Sequence, residues 1–145
     1  MVPRRSNLAH DLYRETILAH YRKPSNRRTL ENANRSGYSH NPLCGDELTV
    51  YARVEDGRVD DGAFEARSCS IVQASADMMI DLLRGRSIAD VDKLIARFQE
   101  LMTGNVDSAP ELGEIEVFRE VRKFPVRVKC ALLPWETLEH ALVEG

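Results

Sequence analysis

The dipeptide Asp56-Gly57 is the feature that most constrains how this chain folds. It lies between two stretches rich in Val, Tyr, Phe and Thr, residues 48–55 and 58–67. Asp-Gly is a favoured pair for a two-residue type I′ turn, in which both positions require a positive φ. The sequence therefore predicts a β-hairpin over residues 48–67. Residues 60–62, Asp-Asp-Gly, interrupt the second strand and predict a bulge or a bend.

The hairpin determines where two cysteines meet. Cys44 lies just before the first strand, in Cys44-Gly45-Asp46, and Cys69 lies just after the second strand. Because the strands of a hairpin are antiparallel, the chain returns to the end at which it began. We therefore expect Cys44 and Cys69 to be neighbours.

Helical spacing of apolar residues predicts helices before and after the hairpin. The first covers residues 8–22, and residues 25–43 then form a long connection with one short strand. A second helix over residues 70–84 ends at Gly85, and a third begins with a capping box at Ser87 and runs to residue 102. Cys69 is thus expected at a helix N-terminus, where the helix dipole favours a thiolate.

The C-terminal part predicts a short helix and a long one. Residues 111–121 have helical spacing, and residues 124–129 alternate and contain proline, which indicates an extended segment. The last helix is expected to begin at Cys130, with Pro134 in its first turn. Together the elements predict an α+β fold, a small antiparallel sheet of about three strands with helices packed on one face, in a single domain over residues 1–145.

The composition is that of one ordinary globular domain. A chain of 145 residues buries roughly 70% of its unfolded surface, and 43% of the residues are hydrophobic. The net charge of −3 argues against nucleic acid as a partner, and no stretch has the length of a membrane span or a signal peptide. We expect a cytoplasmic protein with no membrane partner, whose three cysteines remain thiols.

Three cysteines and one carboxylate have the composition of a zinc shell. Cys44, Asp46, Cys69 and Cys130 would supply the four ligands that Zn²⁺ usually takes. His40 is an alternative to Asp46, although a loop histidine is more often solvated. The alternative for all three cysteines is that they are small buried hydrophobic residues.

Three motifs together resemble one protein family. They are Asn-Pro-x-Cys-Gly-Asp at 41–46, Cys-Ser-Ile-x-x-Ala-Ser-x-x-Met-Met at 69–79 and Arg-Lys-Phe-Pro-x-Arg-x-Lys-Cys-Ala at 122–131. They resemble the NifU/IscU-like iron–sulfur cluster assembly proteins, and specifically their SufU branch. The segment 20–26, His-Tyr-Arg-Lys-Pro-Ser-Asn, is similar to the opening of that family. The resemblance implies the fold of the IscU/NifU N-terminal domain.

Two features favour the SufU branch over the scaffold branch of this family. The scaffold proteins carry a histidine immediately before the last cysteine, whereas this chain has Lys129. SufU-type chains also carry an insertion between the second and third cysteines. Here 60 residues separate Cys69 from Cys130, and we assign the extra length to residues 107–120.

The resemblance implies a zinc-dependent sulfur-transfer protein. Such a protein accepts persulfide sulfur from a pyridoxal-phosphate-dependent cysteine desulfurase and delivers it to the downstream iron–sulfur assembly machinery. By this analogy Cys44, Asp46, Cys69 and Cys130 bind zinc. Cys44 would be the catalytic acceptor, released from the metal when a desulfurase histidine takes its place.

The charge of such a site calls for cationic neighbours. Three thiolates and one carboxylate around Zn²⁺ sum to −2, so Arg127 and Lys129 are candidates to surround the ligands. The alternative is that both are solvated charges on an extended segment. Two other functions stay open at this stage, a scaffold that transiently assembles a [2Fe–2S] cluster on the same cysteines, and a structural zinc module.

Overall fold

The computed structural model describes residues 5–42 and 45–144. Its sheet has three antiparallel strands in the order β1-β2-β3, namely β1 (Arg35–Asn41), β2 (Asp46–Glu55) and β3 (Arg58–Arg67). β1 is the one strand expected within the long connection. The predicted α+β class and three-stranded sheet are confirmed.

The hairpin between β2 and β3 has the predicted turn and bulge. Asp56 and Gly57 have φ values of 52° and 74°, as a type I′ turn requires. Arg53 pairs with Asp61 and Val54 with Val59, which leaves the intervening residue of β3 as the extra one in a bulge. Alternate side chains of β2 are buried, so one face of the sheet carries the core.

Helices cover that inner face. In the described residues they are α1 (Arg5–Arg22), α2 (Ser70–Leu83), α3 (Ile88–Thr103) and α4 (Pro125–Glu144), with a 3-10 segment at Pro110–Val121. α2 lies in the centre and packs against α1, α4 and β3, while α4 packs against β1 and β2. Ser87 caps α3 as predicted, because its side chain accepts a hydrogen bond from the Asp90 N–H. Within the described ranges, no helix is long and apolar enough to cross a membrane.

α4 begins earlier than the sequence pattern predicts. The extended segment expected over residues 124–129 is wrong, because the Val128 N–H donates to the Phe124 carbonyl at 3.0 Å in the first turn of this helix. Proline suits the first helical position, where its missing N–H costs no hydrogen bond. Cys130 therefore lies in the second turn and not at the helix start, and Pro134 lies in the helix interior.

Close contacts fix α4, which carries Cys130, against the sheet. A Cβ atom on Gly37 of β1 would lie 2.5 Å from the Thr137 carbonyl oxygen, so only glycine fits here. The Ser39 and Thr137 hydroxyls are hydrogen-bonded at 2.7 Å. The last residue of β1, Asn41, pairs with Asp46 of β2. The contacts of Gly37 and Ser39 with Thr137 therefore help to set the distance between Cys130 on α4 and Asp46.

Trp135 ties α4 to the other core helices. Its buried indole ring stacks on Phe98 of α3 with ring centroids 4.4 Å apart. Its Nε1–H donates to the Ser75 hydroxyl at 3.0 Å, and that hydroxyl donates to the Ala131 carbonyl at 2.7 Å. The core around Trp135 is thus held by contacts that do not involve the cysteines.

Candidate metal centre

Asp46, Cys69 and Cys130 come together at one end of the sheet. Their ligand atoms all lie within 4.8 Å of one another, although they belong to the start of β2, the residue before α2 and the second turn of α4. The fourth residue predicted for this site, Cys44, lies outside the described residues. The structure therefore brings together three of the four predicted ligands.

Asp46 is the residue that joins the other two. Its carboxylate is 3% exposed. One oxygen, Oδ1, accepts a hydrogen bond from the Cys69 N–H at 3.2 Å, and the other, Oδ2, lies 3.8 Å from the Cys130 Sγ. The hairpin explains the contact between Asp46 and Cys69, because the pairing of β2 with β3 continues to Glu47 and Arg67, close to these two residues. Cys130 is brought to them by α4.

The two described cysteines differ in access. Cys69 is exposed and is the N-cap of α2, where its side chain makes no capping hydrogen bond. Its sulfur therefore stays available at the positive end of the helix dipole, as predicted. Cys130 is buried, so its sulfur is reached only through the site itself.

An open cleft of about 550 Å³ leads to these ligands. Its walls combine the ligands with apolar and basic side chains. The residues lining it are Gly45, Asp46, Arg67, Ser68, Cys69, Ile71, Val126, Arg127 and Cys130. A group carried by a partner molecule has access to the site through this cleft.

Of the two basic residues predicted to surround the ligands, Arg127 lines the cleft. Its guanidinium lies over the Phe124 ring, 4.8 Å from the ring centroid. Lys129 is exposed and is absent from the described residues that line the cleft.

Tyr13 is a residue of this region that the sequence did not indicate. Its pKa is raised above the usual value, because burial and the neighbouring Cys69 raise it by more than the charge of Arg127 lowers it. Tyr13 reads in the sequence as one more apolar residue of α1, so no local signal indicates it.

His40 is placed where it cannot substitute for Asp46. It is exposed on β1 and pairs with Glu47 of β2. Successive side chains of a strand point to opposite faces, so His40 and Glu47 share the outer face while Asp46 points inward. The expectation that this histidine is solvated is consistent with its position.

The donor set fits zinc. Neighbouring ligand atoms of a tetrahedral shell with bonds of about 2.0–2.3 Å lie about 3.3–3.8 Å apart. The Asp46 Oδ2 to Cys130 Sγ distance of 3.8 Å is already in that range, and the remaining separations stay below 4.8 Å. Thiolates and a carboxylate from separate elements are ligands that zinc accepts.

A second group of ligand-type side chains, His20, Asp77 and Asp81, has a different role. The His20 ring contacts Asp77 Oδ2 through Nδ1 at 2.6 Å and Glu114 Oε1 through Nε2 at 2.8 Å. Asp77 Oδ1 accepts hydrogen bonds from the backbone and side chain of Asn26. These atoms are already engaged with one another, so the network joins α1, α2 and the 3-10 segment and explains the His-to-Asn segment at 20–26 structurally.

Replacing His20 with glutamine is expected to lower stability most at low pH. Burial lowers the pKa of His20, but hydrogen bonds to Asp77 and Glu114 outweigh burial and raise it above the usual value. A raised folded-state pKa gives stabilisation that is complete below the unfolded pKa of about 6.5 and is lost as pH rises through the folded pKa. We expect a decrease of about 1–3 kcal/mol in the free energy of unfolding at about pH 5.5, and less at about pH 8.5.

Denaturant unfolding at both pH values measures this effect. His40→Gln is the matched control, because it removes an exposed histidine of the outer sheet face. A difference between His20→Gln and the original protein that does not change with pH would contradict the role given to the ring charge.

The fold and the site together define a small α+β domain in which one aspartate and two cysteines from distant segments come together in the geometry of a metal site. Residues 12–131 match the NifU-like N terminal domain, and the chain belongs to this family. The predicted membership is confirmed.

Relatives within this family carry two kinds of name. The chain is 37% identical over 134 residues to the zinc-dependent sulfurtransferase SufU of Bacillus subtilis (strain 168), covering 92% of this chain and 90% of the relative. It is 34% identical over 131 residues to the iron–sulfur cluster assembly scaffold protein IscU of Thermotoga maritima, covering 90% of this chain and 92% of the relative.

A solved structure supports the same placement. The crystal structure of a candidate iron–sulfur cluster assembly scaffold protein for the SUF system, from Fervidobacterium islandicum AW-1, has a TM-score of 0.85 and 34% identity. The match covers 92% of this chain and 98% of that one. The described fold is therefore that of SufU-like iron–sulfur assembly proteins.

Proposed function

We propose that this protein is a zinc-dependent sulfur-transfer protein, which accepts persulfide sulfur from a cysteine desulfurase and delivers it for iron–sulfur cluster assembly. The observation that carries the proposal is the convergence of Asp46, Cys69 and Cys130 at an open cleft. The B. subtilis relative named as a zinc-dependent sulfurtransferase adds support, as does Lys129 at the position where scaffold proteins carry histidine.

Cys44, Asp46, Cys69 and Cys130 would hold the zinc. When bound, zinc keeps thiols deprotonated at neutral pH and protects them. The residues have unequal roles in this proposal. Cys130 is buried and anchors the site from α4, whereas Cys44 adjoins Gly45, which lines the cleft and has a positive φ of 70°. Cys44 is therefore the proposed acceptor.

Sulfur transfer to Cys44 would be a thiol exchange. The Cys44 thiolate attacks the outer sulfur of a persulfide on the desulfurase cysteine, and a new S–S bond forms at Cys44. The S–S bond of the donor persulfide breaks, and its electron pair leaves on the desulfurase cysteine as a thiolate. No net oxidation occurs, because one persulfide replaces another.

The proposed partners follow from this chemistry. They are a pyridoxal-phosphate-dependent cysteine desulfurase as donor and the iron–sulfur assembly machinery as acceptor. A site that depends on reduced thiols fits a cytoplasmic location. In this proposal the protein is a zinc-dependent sulfurtransferase that acts together with the desulfurase.

Intact-mass measurement tests the proposal. The zinc-loaded protein is incubated with a cysteine desulfurase and cysteine, and we expect the mass to increase by one sulfur atom, located on Cys44 by peptide mapping. Cys44→Ser is the control and should gain no sulfur. Absence of added sulfur on Cys44 in the unsubstituted protein would refute sulfur transfer.

The scaffold function is the second candidate, because the T. maritima relative carries that name and the same cysteines suit a [2Fe–2S] cluster. Metal content on purification separates the two functions. Sulfur transfer predicts about one zinc per chain and a colourless protein. A brown protein with iron and sulfide would favour the scaffold.

A further inference from the structure

We propose that Arg27 and Gln73 are positioning residues for the metal site, which act through a chain of hydrogen bonds that ends on Asp46. The inference rests on the proposed zinc site. It assigns a role to Gln73, which occupies a variable position of the second cysteine motif, and to Arg27, which lies outside the motifs. Neither residue lines the cleft.

The chain of hydrogen bonds has three links. The Arg27 Nη1–H donates to Gln73 Oε1 at 2.7 Å, and the Gln73 Nε2–H donates to the Ser68 carbonyl oxygen at 3.2 Å. That carbonyl belongs to the same peptide group as the Cys69 N–H, which donates to Asp46 Oδ1 at 3.2 Å. A guanidinium is thus connected to a buried carboxylate through one side-chain amide and one planar peptide group.

All N–H donors in this series of hydrogen bonds point from Arg27 toward Asp46. Each amide receives a hydrogen bond at its oxygen and gives one from its nitrogen, so the dipoles align from Arg27 toward Asp46. Aligned hydrogen bonds polarise one another, and the effect is larger away from water. Gln73 is 6% exposed, so the central link is shielded from solvent.

The geometry indicates what the chain does at the metal. Oδ1 of Asp46 is held by the Cys69 N–H, which leaves Oδ2, on the side of the Cys130 sulfur, to face a metal ion. Asp46 would then bind through one oxygen. The same hydrogen bonds fix the peptide group before α2 and hence the direction of the Cys69 side chain.

Arg27 is held in a fixed segment. Arg27 forms an isolated parallel β-bridge with Phe64 of β3. The next residue, Arg28, donates its backbone N–H to the Phe64 carbonyl at 2.9 Å. Asn26 is buried and accepts the Phe64 N–H at 2.9 Å. The segment therefore extends the edge of the sheet and presents the Arg27 guanidinium to Gln73.

Zinc affinity of the full-length chain tests the proposal. We would compare Gln73→Met, Arg27→Met and the double variant by competition with a chromophoric chelator. Gln73→Met keeps the side-chain volume and removes both hydrogen bonds, and we expect zinc binding to weaken about 10-fold, as for other residues that orient metal ligands. Arg27→Met should weaken binding less. The double variant should match Gln73→Met alone, because Arg27 acts only through Gln73.

Arg28→Met is the matched control. It removes the same charge from the adjacent position, but its guanidinium pairs with Asp61 at 3.1 Å, outside the chain of hydrogen bonds. Zinc affinity should be unchanged in this control. Equal losses of zinc affinity in Arg27→Met and Arg28→Met would show a general charge effect and overturn the proposal. The proposal would also fail if the losses of affinity in the two single variants, Arg27→Met and Gln73→Met, multiplied in the double variant.

The absorption spectrum of the Co²⁺-loaded protein gives a second readout. We expect the ligand-field bands to shift in Gln73→Met and to stay unchanged in Arg28→Met, which a purely structural role would not produce. If Gln73→Met does not fold, the comparison of Arg27→Met with Arg28→Met decides, because both side chains are on exposed residues. Failure of the unsubstituted protein to bind zinc would refute the proposed function, whereas tight zinc binding that Gln73→Met retains would refute only this inference.

Discussion

Replacing Cys130 with serine is expected to weaken zinc binding by about 100–1000-fold. Structural zinc contributes about 10–16 kcal/mol in small peptides, which is about 2.5–4 kcal/mol for each of four ligands and hence about two to three factors of ten in affinity. Cys130 is buried among the proposed ligands, and its sulfur lies 3.8 Å from Asp46 Oδ2. A serine hydroxyl is nearly the same size, so the packing of α4 should survive while the thiolate is lost.

Chelator competition on the variant measures this loss. Cys69→Ser should give a loss of the same order, because it removes a second thiolate from the same site. Glu136→Ser is the control, since it introduces serine at an exposed position of the same helix. Zinc affinity that is unchanged in Cys130→Ser would exclude Cys130 as a ligand and leave its proximity to Asp46 without a functional explanation.

Local signals predicted the parts of the fold that depend on local interactions. Asp56-Gly57 adopts positive φ at both positions because the turn demands it, and Ser87 caps α3 through its own side chain. The contact between Asp46 and Cys69 is consistent with the predicted hairpin, because antiparallel pairing over ten residues leaves the two ends of the hairpin side by side. These features need no information from the rest of the chain.

The start of α4 was not predictable from local pattern. The alternation of Val126 and Val128 suggested an extended segment, yet Val126 is 62% exposed and belongs to no sheet. Proline at residue 125 was the signal that favoured a helix start. The position of Cys130 depends on how α4 packs against β1 near Gly37, a contact between segments about a hundred residues apart that no short window of sequence contains.

The hydrogen-bond chain to Asp46 was hidden for a related reason. Arg27 lies in an irregular connection, and Gln73 occupies a variable position of the second cysteine motif. The available signal was a single amide within the apolar stripe of α2, since a buried amide requires partners. Which partners it finds is decided by the packing of the Arg27 segment against β3.

Removal of zinc is expected to lower the Tm by about 12–16 °C without unfolding the protein at room temperature. Free zinc at about 1000 times its Kd adds about 4 kcal/mol of stability, and each kcal/mol shifts the Tm of a domain of this size by roughly 3–4 °C. The core should persist because its contacts lie elsewhere. Trp135 is buried against Phe98 and hydrogen-bonded to Ser75, and neither contact involves a proposed ligand.

Trp135 is also the means of measurement, because it is the only tryptophan in the chain. After chelation at 25 °C its fluorescence should keep the emission of a buried indole, and heating should shift that emission at a lower temperature than in the zinc-loaded protein. Cys130→Ser is the control, since a chain that binds zinc weakly should show little response to the chelator. Emission at room temperature that matches the protein in denaturant would mean that the metal, and not the core around Trp135, holds the fold together.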